Sequence, residues 1–297
     1  MSYTVTWDDQ RIFLAVLEEG SLSAAARKLG LSHPTVRSRI GVLEQQLDAV
    51  LFTRSVNGLT PTETAEMLRE PARRMSMASD LFVRQASASS GAIAGTVRIS
   101  VPEFMGIEVM PAMLAQLRNA HPGIKVELSL SNLPADLLTQ EVDVAVRTVA
   151  PKQEALVARK VASIPLGLFA SRAYIERHGS PANIADLASH DMIGPDRNRR
   201  DLDLAERLGP GFTRNNLVLR TDNHPAQLAA ARAGVGIAVA QLPVGENDPN
   251  LIRILPDFEL AVLETWIVTH ENLVRVPRVR AVFDALVDSF RSMSKRK

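Results

Sequence analysis

Between Ser21 and Leu47 the chain has room for two helices and almost nothing to join them. The segment SLSAAARKLG offers Ser21 or Ser23 as a cap for free backbone N–H groups, alanines small enough for close packing, and Gly30 for a left-handed stop. Only Leu31 intervenes before Ser32, a second capping hydroxyl, and His33-Pro34 fall in the first turn, where proline is tolerated. Val36, Ile40, Leu43 and Leu47 then form one apolar stripe, so this helix buries one face and turns Thr35, Arg37, Ser38 and Arg39 outward. Such a tight connection has little purpose unless the second helix must project. Upstream, Phe13, Val16 and Leu17 at helical spacing within Asp9–Glu19, closed by Gly20, predict a first helix. Downstream, LFTRSVNGLTPTE predicts two short strands around Asn57-Gly58, a dipeptide suited to a tight hairpin, with Arg54 at the hairpin's edge.

The net charge of +1 over 297 residues says little about partners, because an electrostatic footprint depends on where charge sits. From Ser21 to Pro61, Arg27, Lys28, Arg37, Arg39 and Arg54 face only Glu44 and Asp48, a local excess of +3 that suits phosphate. The string from Phe13 to Thr62, FLAVLEEGSLSAAARKLGLSHPTVRSRIGVLEQQL followed by LFTR and GLTPT, resembles the winged helix-turn-helix domain of LysR-type transcriptional regulators. The resemblance implies a DNA-contacting set of Ser23, Ser32, His33, Pro34, Thr35, Arg37, Ser38, Arg39 and Arg54. Within it, His33, Pro34, Arg37 and Ser38 would face the major groove and Arg54 the backbone or minor groove. The family usually has glutamine at the position of His33 and commonly serine at that of Arg37, so an unusual sequence preference is implied. Arg37 suits a bidentate contact to guanine and a phosphate contact equally well.

From Thr62 to about Ala88 the pattern is helical, with Leu68, Met75 and Phe82 seven residues apart and Ala78 between them, as in a dimer seam. Periodicity alone also admits a helix packed on its own domain, but the family dimerises through a long linker helix at this place. Pro71 lies inside the pattern, which predicts a kink near Met67–Glu70 or a helix restarting at Pro71. The small, polar, glycine-bearing run of residues 86–95 reads as a hinge. The resulting division is a winged domain at 1–62, a linker helix and hinge at 63–92, and a third domain at 93–297.

That third domain alternates. TVRISV, KVELSL and VDVAVR are strand candidates, and MGIEVMPAMLAQLRNAH and LPADLLTQ are helical. A second series follows: the strand PLGLFAS, a helix from Arg172 to Arg177, the strand NLVLRT, a helix from Pro225 to Ala233, and the strand VGIAVA. LETWIVTH and a helix at Pro277–Arg291 would return to the first series, giving an α/β domain of two lobes, 93–164 with 269–297 and 165–268. This resembles the effector domain of the same family, itself similar to periplasmic solute-binding proteins. Ligands in open α/β sheets bind beyond the carboxyl ends of strands. The loops meeting that condition are Pro102–Met105, Ser131–Leu133, Arg147–Thr148 and Asp222–His224, joined by Phe169–Ser171 from the far lobe. The candidate effector set is therefore Pro102, Glu103, Phe104, Met105, Ser131, Asn132, Arg147, Phe169, Asn223 and His224. Where the family commonly has serine or threonine against a carboxylate, this chain has Pro102-Glu103-Phe104. With Glu103 or Arg147 facing the cleft, a neutral, cationic or amphipathic effector is expected.

Other function classes find little support. There is no cysteine, hence no disulfide or thiolate chemistry, and no apolar run near the roughly 18–20 residues that span a bilayer. The start MSYTVTWDDQ lacks a basic-then-apolar signal, so a cytoplasmic location is expected and a transport-type solute-binding protein is disfavoured. Ser189-His190-Asp191 names triad residue types, but three consecutive residues cannot orient one another in that relay. The histidines at 33, 121, 178, 190, 224 and 270 are too scattered for a local zinc motif, and Gly234-Val235-Gly236 follows a helix instead of opening one. No enzyme, cofactor or metal is expected. The partners implied by the resemblance are double-stranded DNA, a small-molecule effector, further copies in a homodimer or homotetramer, and RNA polymerase, with no membrane.

Overall fold

A computed structural model describes residues 5–55, 58–86, 93–132, 142–151, 153, 155–207, 209, 212–258 and 260–295. The chain divides into two compact units, residues 1–87 and 88–297.

The first unit opens with α1 (Trp7–Glu19), α2 (Leu22–Leu29) and α3 (His33–Leu47). Their ends follow from local chemistry. Ser21, and not Ser23, caps α2 by accepting from the Ala24 N–H at 3.1 Å, and Ser32 caps α3 by accepting from Thr35. Gly20 and Gly30 take the left-handed conformation, φ +66° in both, which costs glycine nothing and stops α1 and α2. Val36, Ile40 and Leu43 are buried as their spacing demands, whereas Leu47 is 41% exposed and fully buried Leu51 fills the core instead. Asp48 in the left-handed region ends α3 between them, so the stripe cannot continue in register.

Strands β1 (Phe52–Ser55) and β2 (Gly58–Pro61) pair antiparallel. Gly58 stands opposite Ser55, so the ladder resumes at Gly58, which the sequence placed in the turn. Asn57 lies outside the described residues. Glu44 of α3 pins the hairpin's base by accepting from the N–H groups of Leu51 at 2.7 Å and Phe52 at 3.2 Å. Thr62 accepts from Ala65 and opens α4 (Glu63–Ala86), a helix of 24 residues that runs through Pro71 without restarting. An interior proline takes its own N–H out of the ladder and crowds the carbonyl one turn back, and the helix accommodates Pro71 at an exposed position. Ala65 and Ala72 enter the helix-turn-helix core and Leu68 packs against it. Leu68 therefore belongs to its own domain, not to the heptad with Met75 and Phe82.

The second unit is two-lobed. β3 (Gly95–Val101) pairs in parallel with β4 (Ile124–Leu130) and β5 (Val144–Arg147). The helical stretch after β3 is two helices, α5 (Glu103–Glu108) and α6 (Met110–Ala120), divided at Val109 because Pro111 begins the second. The expected helix at LPADLLTQ lies outside the described residues. β6 (Leu156–Ser171) is one strand of 16 residues, more than twice the length of PLGLFAS. Its first part pairs with β11 (Val262–His270); beyond Pro165 it pairs instead with β9 (Ala238–Gln241) and β10 (Leu251–Ile254). Proline has no N–H for a ladder, so it sits where the partners change. β6 and β11 are thus the strands that cross between lobes.

The far lobe adds α7 (Arg172–His178), a 3-10 helix (Ile184–Ser189), β7 (Met192–Gly194), α8 (Arg199–Arg207), β8 (Leu217–Arg220), α9 (His224–Arg232) and α10 (Leu242–Gly245). α11 (Pro277–Lys295) returns to the near lobe, where Val279, Val282, Phe283, Leu286 and Phe290 are buried.

Candidate functional site

Two surfaces present themselves, one on each unit. On the first, α3 buries Val36, Ile40 and Leu43 and leaves His33, Pro34, Thr35, Arg37 and Ser38 exposed. Ser32 and Thr35 are joined by a hydroxyl hydrogen bond of 2.7 Å, and both remain exposed at the start of the helix. Ser23 is exposed on α2. Arg39 is different: its Nη1 donates to Asp9 Oδ1 at 2.9 Å, and Asp9 is fully buried. Asp9 also accepts from the Thr6 N–H at 3.0 Å and the Thr6 hydroxyl at 2.5 Å, closing the capping box of α1. The guanidinium counted with the reading face thus ties α3 to α1 and fixes how that face is presented. Lys28 is likewise held, by Glu18 and Glu19 at 3.1 and 3.0 Å, and these carboxylates raise its pKa. Arg54 stands opposite Leu59 in the hairpin, and its side chain lies outside the described residues.

On the second unit a cavity of about 400 Å³ opens between the lobes, a size suited to a small molecule. It gathers Pro102, Phe104 and Met105 from α5 and its approach, Ser131 and Asn132 after β4, Arg147 and Thr148 after β5, and His224 from α9. Four expected loops thus converge. Three expected residues do not line it. Phe169 is fully buried among Leu228, Ala231 and Ala238, on the face of β6 opposite Leu166, which does line the cavity. Gly245 makes room for that ring: a Cβ there would lie 2.4 Å from Phe169 Cζ. Glu103 and Asn223 do not line the cavity but meet each other, with Asn223 Nδ2 donating to Glu103 Oε2 at 3.0 Å across the lobes. Asn132 Oδ1 accepts from the Glu103 N–H at 3.2 Å.

Several lining residues were not anticipated: Asn198, Arg200 and Asp201 beside α8, Gln227 on α9, and Gln241 ending β9. Gln241 follows the apolar run GIAVA directly, at a strand's carboxyl end, a position that could have marked it. Asp222 shapes this wall by accepting from the N–H groups of Asp196, Arg197 and Asn198, and those bonds lower its pKa. His224 Nε2 meets Asp201 Oδ2 at 2.9 Å, and this hydrogen bond raises the imidazole pKa against the opposing effect of burial.

Arg147 lines the cavity with a guanidinium that donates to Ser100 O at 3.2 Å, Val146 O at 2.6 Å and Ser100 Oγ at 2.8 Å. Among the described residues no carboxylate lies within ion-pair distance of it, and burial lowers its pKa.

Ser189 and His190 make no relay. The Ser189 hydroxyl donates to Asp186 O at 2.8 Å, and His190 Nδ1 faces the Tyr174 hydroxyl at 3.3 Å. Among the described residues no group of histidine and carboxylate side chains is arranged to hold a metal, and no helix is long and apolar enough to cross a membrane.

A helix-turn-helix with a β-hairpin wing, joined in one chain to an α/β unit with a cleft between lobes, defines a ligand-responsive DNA-binding protein. Residues 7–66 match the model of the bacterial regulatory helix-turn-helix protein, lysR family, and residues 90–291 that of the LysR substrate binding domain. The chain belongs to the LysR family of transcriptional regulators. It is 27% identical over 292 residues to the HTH-type transcriptional activator AaeR of Escherichia coli K12, covering 96% of this chain and 94% of AaeR. It is 32% identical over 192 residues to an HTH-type transcriptional regulator of Xanthomonas campestris pv. campestris, 65% of this chain but only 56% of that protein's length. Among solved structures, full-length CbnR complexed with its target DNA superposes with a TM-score of 0.68 at 20% identity, over 97% of this chain and all of that one. Full-length AphB, a Vibrio cholerae virulence activator, gives 0.58 at 23% identity, over 96% and 99%.

Proposed function

We propose that two or more copies of this chain bind an approximately palindromic operator, each placing α3 in a major groove with Thr35, Arg37 and Ser38 toward the bases or phosphates. His33, Pro34, Ser32, Ser23 and the hairpin around Arg54 complete the contact. The observation that carries this reading is the division of α3 into a sealed face, Val36, Ile40 and Leu43, and an exposed face bearing a cation and hydroxyls. The copies associate through α4. Met67, Pro71, Met75, Ala78 and Phe82 fall at intervals of four, four, three and four on one exposed side, with Met67 and Phe82 66% and 75% exposed.

A small molecule in the lobe cleft shifts how the copies are arranged and thereby how the operator is spaced or bent. It does so to the extent that it favours one arrangement energetically. Action on chromosomal DNA places the protein in the cytoplasm, and RNA polymerase is the partner through which it changes transcription.

The test begins by sequencing genomic fragments retained by the protein. The fragment bound most tightly is then titrated with wild type and with Arg37→Ala/Ser38→Ala. Loss of affinity of roughly tenfold or more is expected, at one or more contacts worth about 1–3 kcal/mol each. Unchanged affinity in the double variant would remove the reading.

A further inference from the structure

We infer that Glu44 and Thr62 are positioning residues for DNA recognition: together they bind the root of the hairpin to α3 and α4, so that the wing and the reading helix meet the duplex as one rigid head. This rests on α3 and the hairpin being the DNA-contacting elements, and it assigns what sets the one against the other.

The root is the passage of residues 48–51. Asp48, at φ +48°, ends α3 and turns the chain. On the α3 side a single oxygen, Glu44 Oε1, accepts from two successive N–H groups, those of Leu51 at 2.7 Å and Phe52 at 3.2 Å. On the α4 side Thr62 takes the carbonyls. Its hydroxyl donates to Val50 O at 2.8 Å and Leu51 O at 3.2 Å, and its N–H donates to Leu51 O at 2.9 Å. The same hydroxyl oxygen accepts from the Ala65 N–H at 3.3 Å, which makes it the cap of α4 as well. Leu51 is therefore held through both backbone groups, its N–H by α3 and its C=O by the head of α4, with its side chain fully buried in the domain core.

These bonds exceed what keeps the hairpin folded on its domain. The strands pair from Phe52 opposite Pro61 to Ser55 opposite Gly58 without them. Phe52 packs on Phe13 with ring centroids 5.8 Å apart, Leu59 packs on the same core, and the Leu59 N–H meets Gly20 O at 3.3 Å. Apolar contact is non-directional, so it retains the hairpin but tolerates rotation about the root. Hydrogen bonds are directional, and those of Glu44 and Thr62 converge on residues 50–52, where a small change of backbone angle moves the strands beyond it most. A binding constellation needs its parts held to within roughly 0.5 Å, which the joint supplies and packing does not.

Anisotropy and hydroxyl-radical footprinting of the full-length protein on its most tightly bound genomic fragment test this, at a temperature where thermal unfolding shows each variant folded. Thr62→Val keeps the shape and removes the hydroxyl, and Glu44→Met keeps the length and removes the acceptor. Each should weaken binding roughly fivefold or more, erase the backbone protection that Arg54→Ala erases, and lower the salt slope by about 1 for each phosphate contact released. Protection beneath α3 should persist, and so should the preference over a fragment altered at the bases there. Thr62→Ser and Glu44→Gln, which restore a hydroxyl and an acceptor oxygen, should bind within about twofold of wild type. A role confined to stability would lower the unfolding midpoint and leave wing protection and salt slope unchanged, and that result overturns the inference. Loss of both protections together, or failure of the restoring variants, overturns it too. Arg54→Ala separates the two levels. If it changes neither protection nor affinity, the hairpin is not on the DNA and the underlying reading of the wing falls with the inference; if it weakens binding while Thr62→Val and Glu44→Met do not, only the assignment of Glu44 and Thr62 falls.

Discussion

The Arg39 guanidinium of α3 closes on the Asp9 carboxylate of α1 at 2.9 Å, and Asp9 has no exposed surface at all. One carboxylate therefore caps α1 through Thr6 and sets the pose of the helix bearing the exposed reading face.

Because the pair is asymmetric in burial, its two ends should fail differently. Arg39→Ala strands a buried charge and should cost about 3 kcal/mol of unit stability, whereas Asp9→Asn lets a 30% exposed guanidinium reach water and should cost closer to 1–2 kcal/mol. Urea denaturation of both single variants and the double variant measures this, and equal losses from the two would contradict the stated asymmetry.

Arg37 is exposed and makes none of the ties that Arg39 makes, so Arg37→Ala should change stability by less than about 0.5 kcal/mol. Operator affinity, read by anisotropy across a salt series, should fall. A phosphate role lowers the salt slope by about 1 and weakens all sequences alike; a base role costs about 1–3 kcal/mol at one position only. A fall in stability comparable to that of Arg39→Ala would show that Arg37 is structural.

Phe82 is 75% exposed, on the same stripe of α4 as Met67 and Ala78. Placing a carboxylate in an apolar seam is unfavourable, so Phe82→Glu should shift the protein toward monomer in sedimentation velocity and lower operator affinity, with the helical spectrum unchanged. An unaltered sedimentation coefficient at micromolar concentration would exclude Phe82 from the seam.

His224 titrates above its ordinary 6.5 because it gains the hydrogen bond to Asp201 on folding. A folded-state pKa that is raised contributes stability fully present below the unfolded value and lost as pH rises through the folded one. His224→Gln should therefore be destabilised most, relative to wild type, below about pH 6.5 and progressively less above it. A stability gap that is flat with pH, or that widens on the alkaline side, would contradict the pairing.

The chain itself determined whatever is decided within a few residues. Ser32, Pro34, Gly20 and Gly30 end and begin helices because their side chains, or the lack of one, act on backbone within one turn, so the helix-turn-helix is legible as written. The strand-and-helix alternation of residues 96–130 is legible for the same reason, since burial of a repeating face needs only periodicity. Tertiary structure decided what depends on distant chain. Asp9 and Arg39 are thirty residues apart, and no local signal distinguishes that arginine from Arg37. Phe169 was expected in the cleft, but strand pleating turns it to the opposite face of β6 from Leu166, against Gly245. The ties of Arg147 to Ser100 and Val146 and the partnerless amide oxygen of Gln241 emerge only when β5 and β9 line one cavity, because a partner or its lack is a property of everything that folds around a residue.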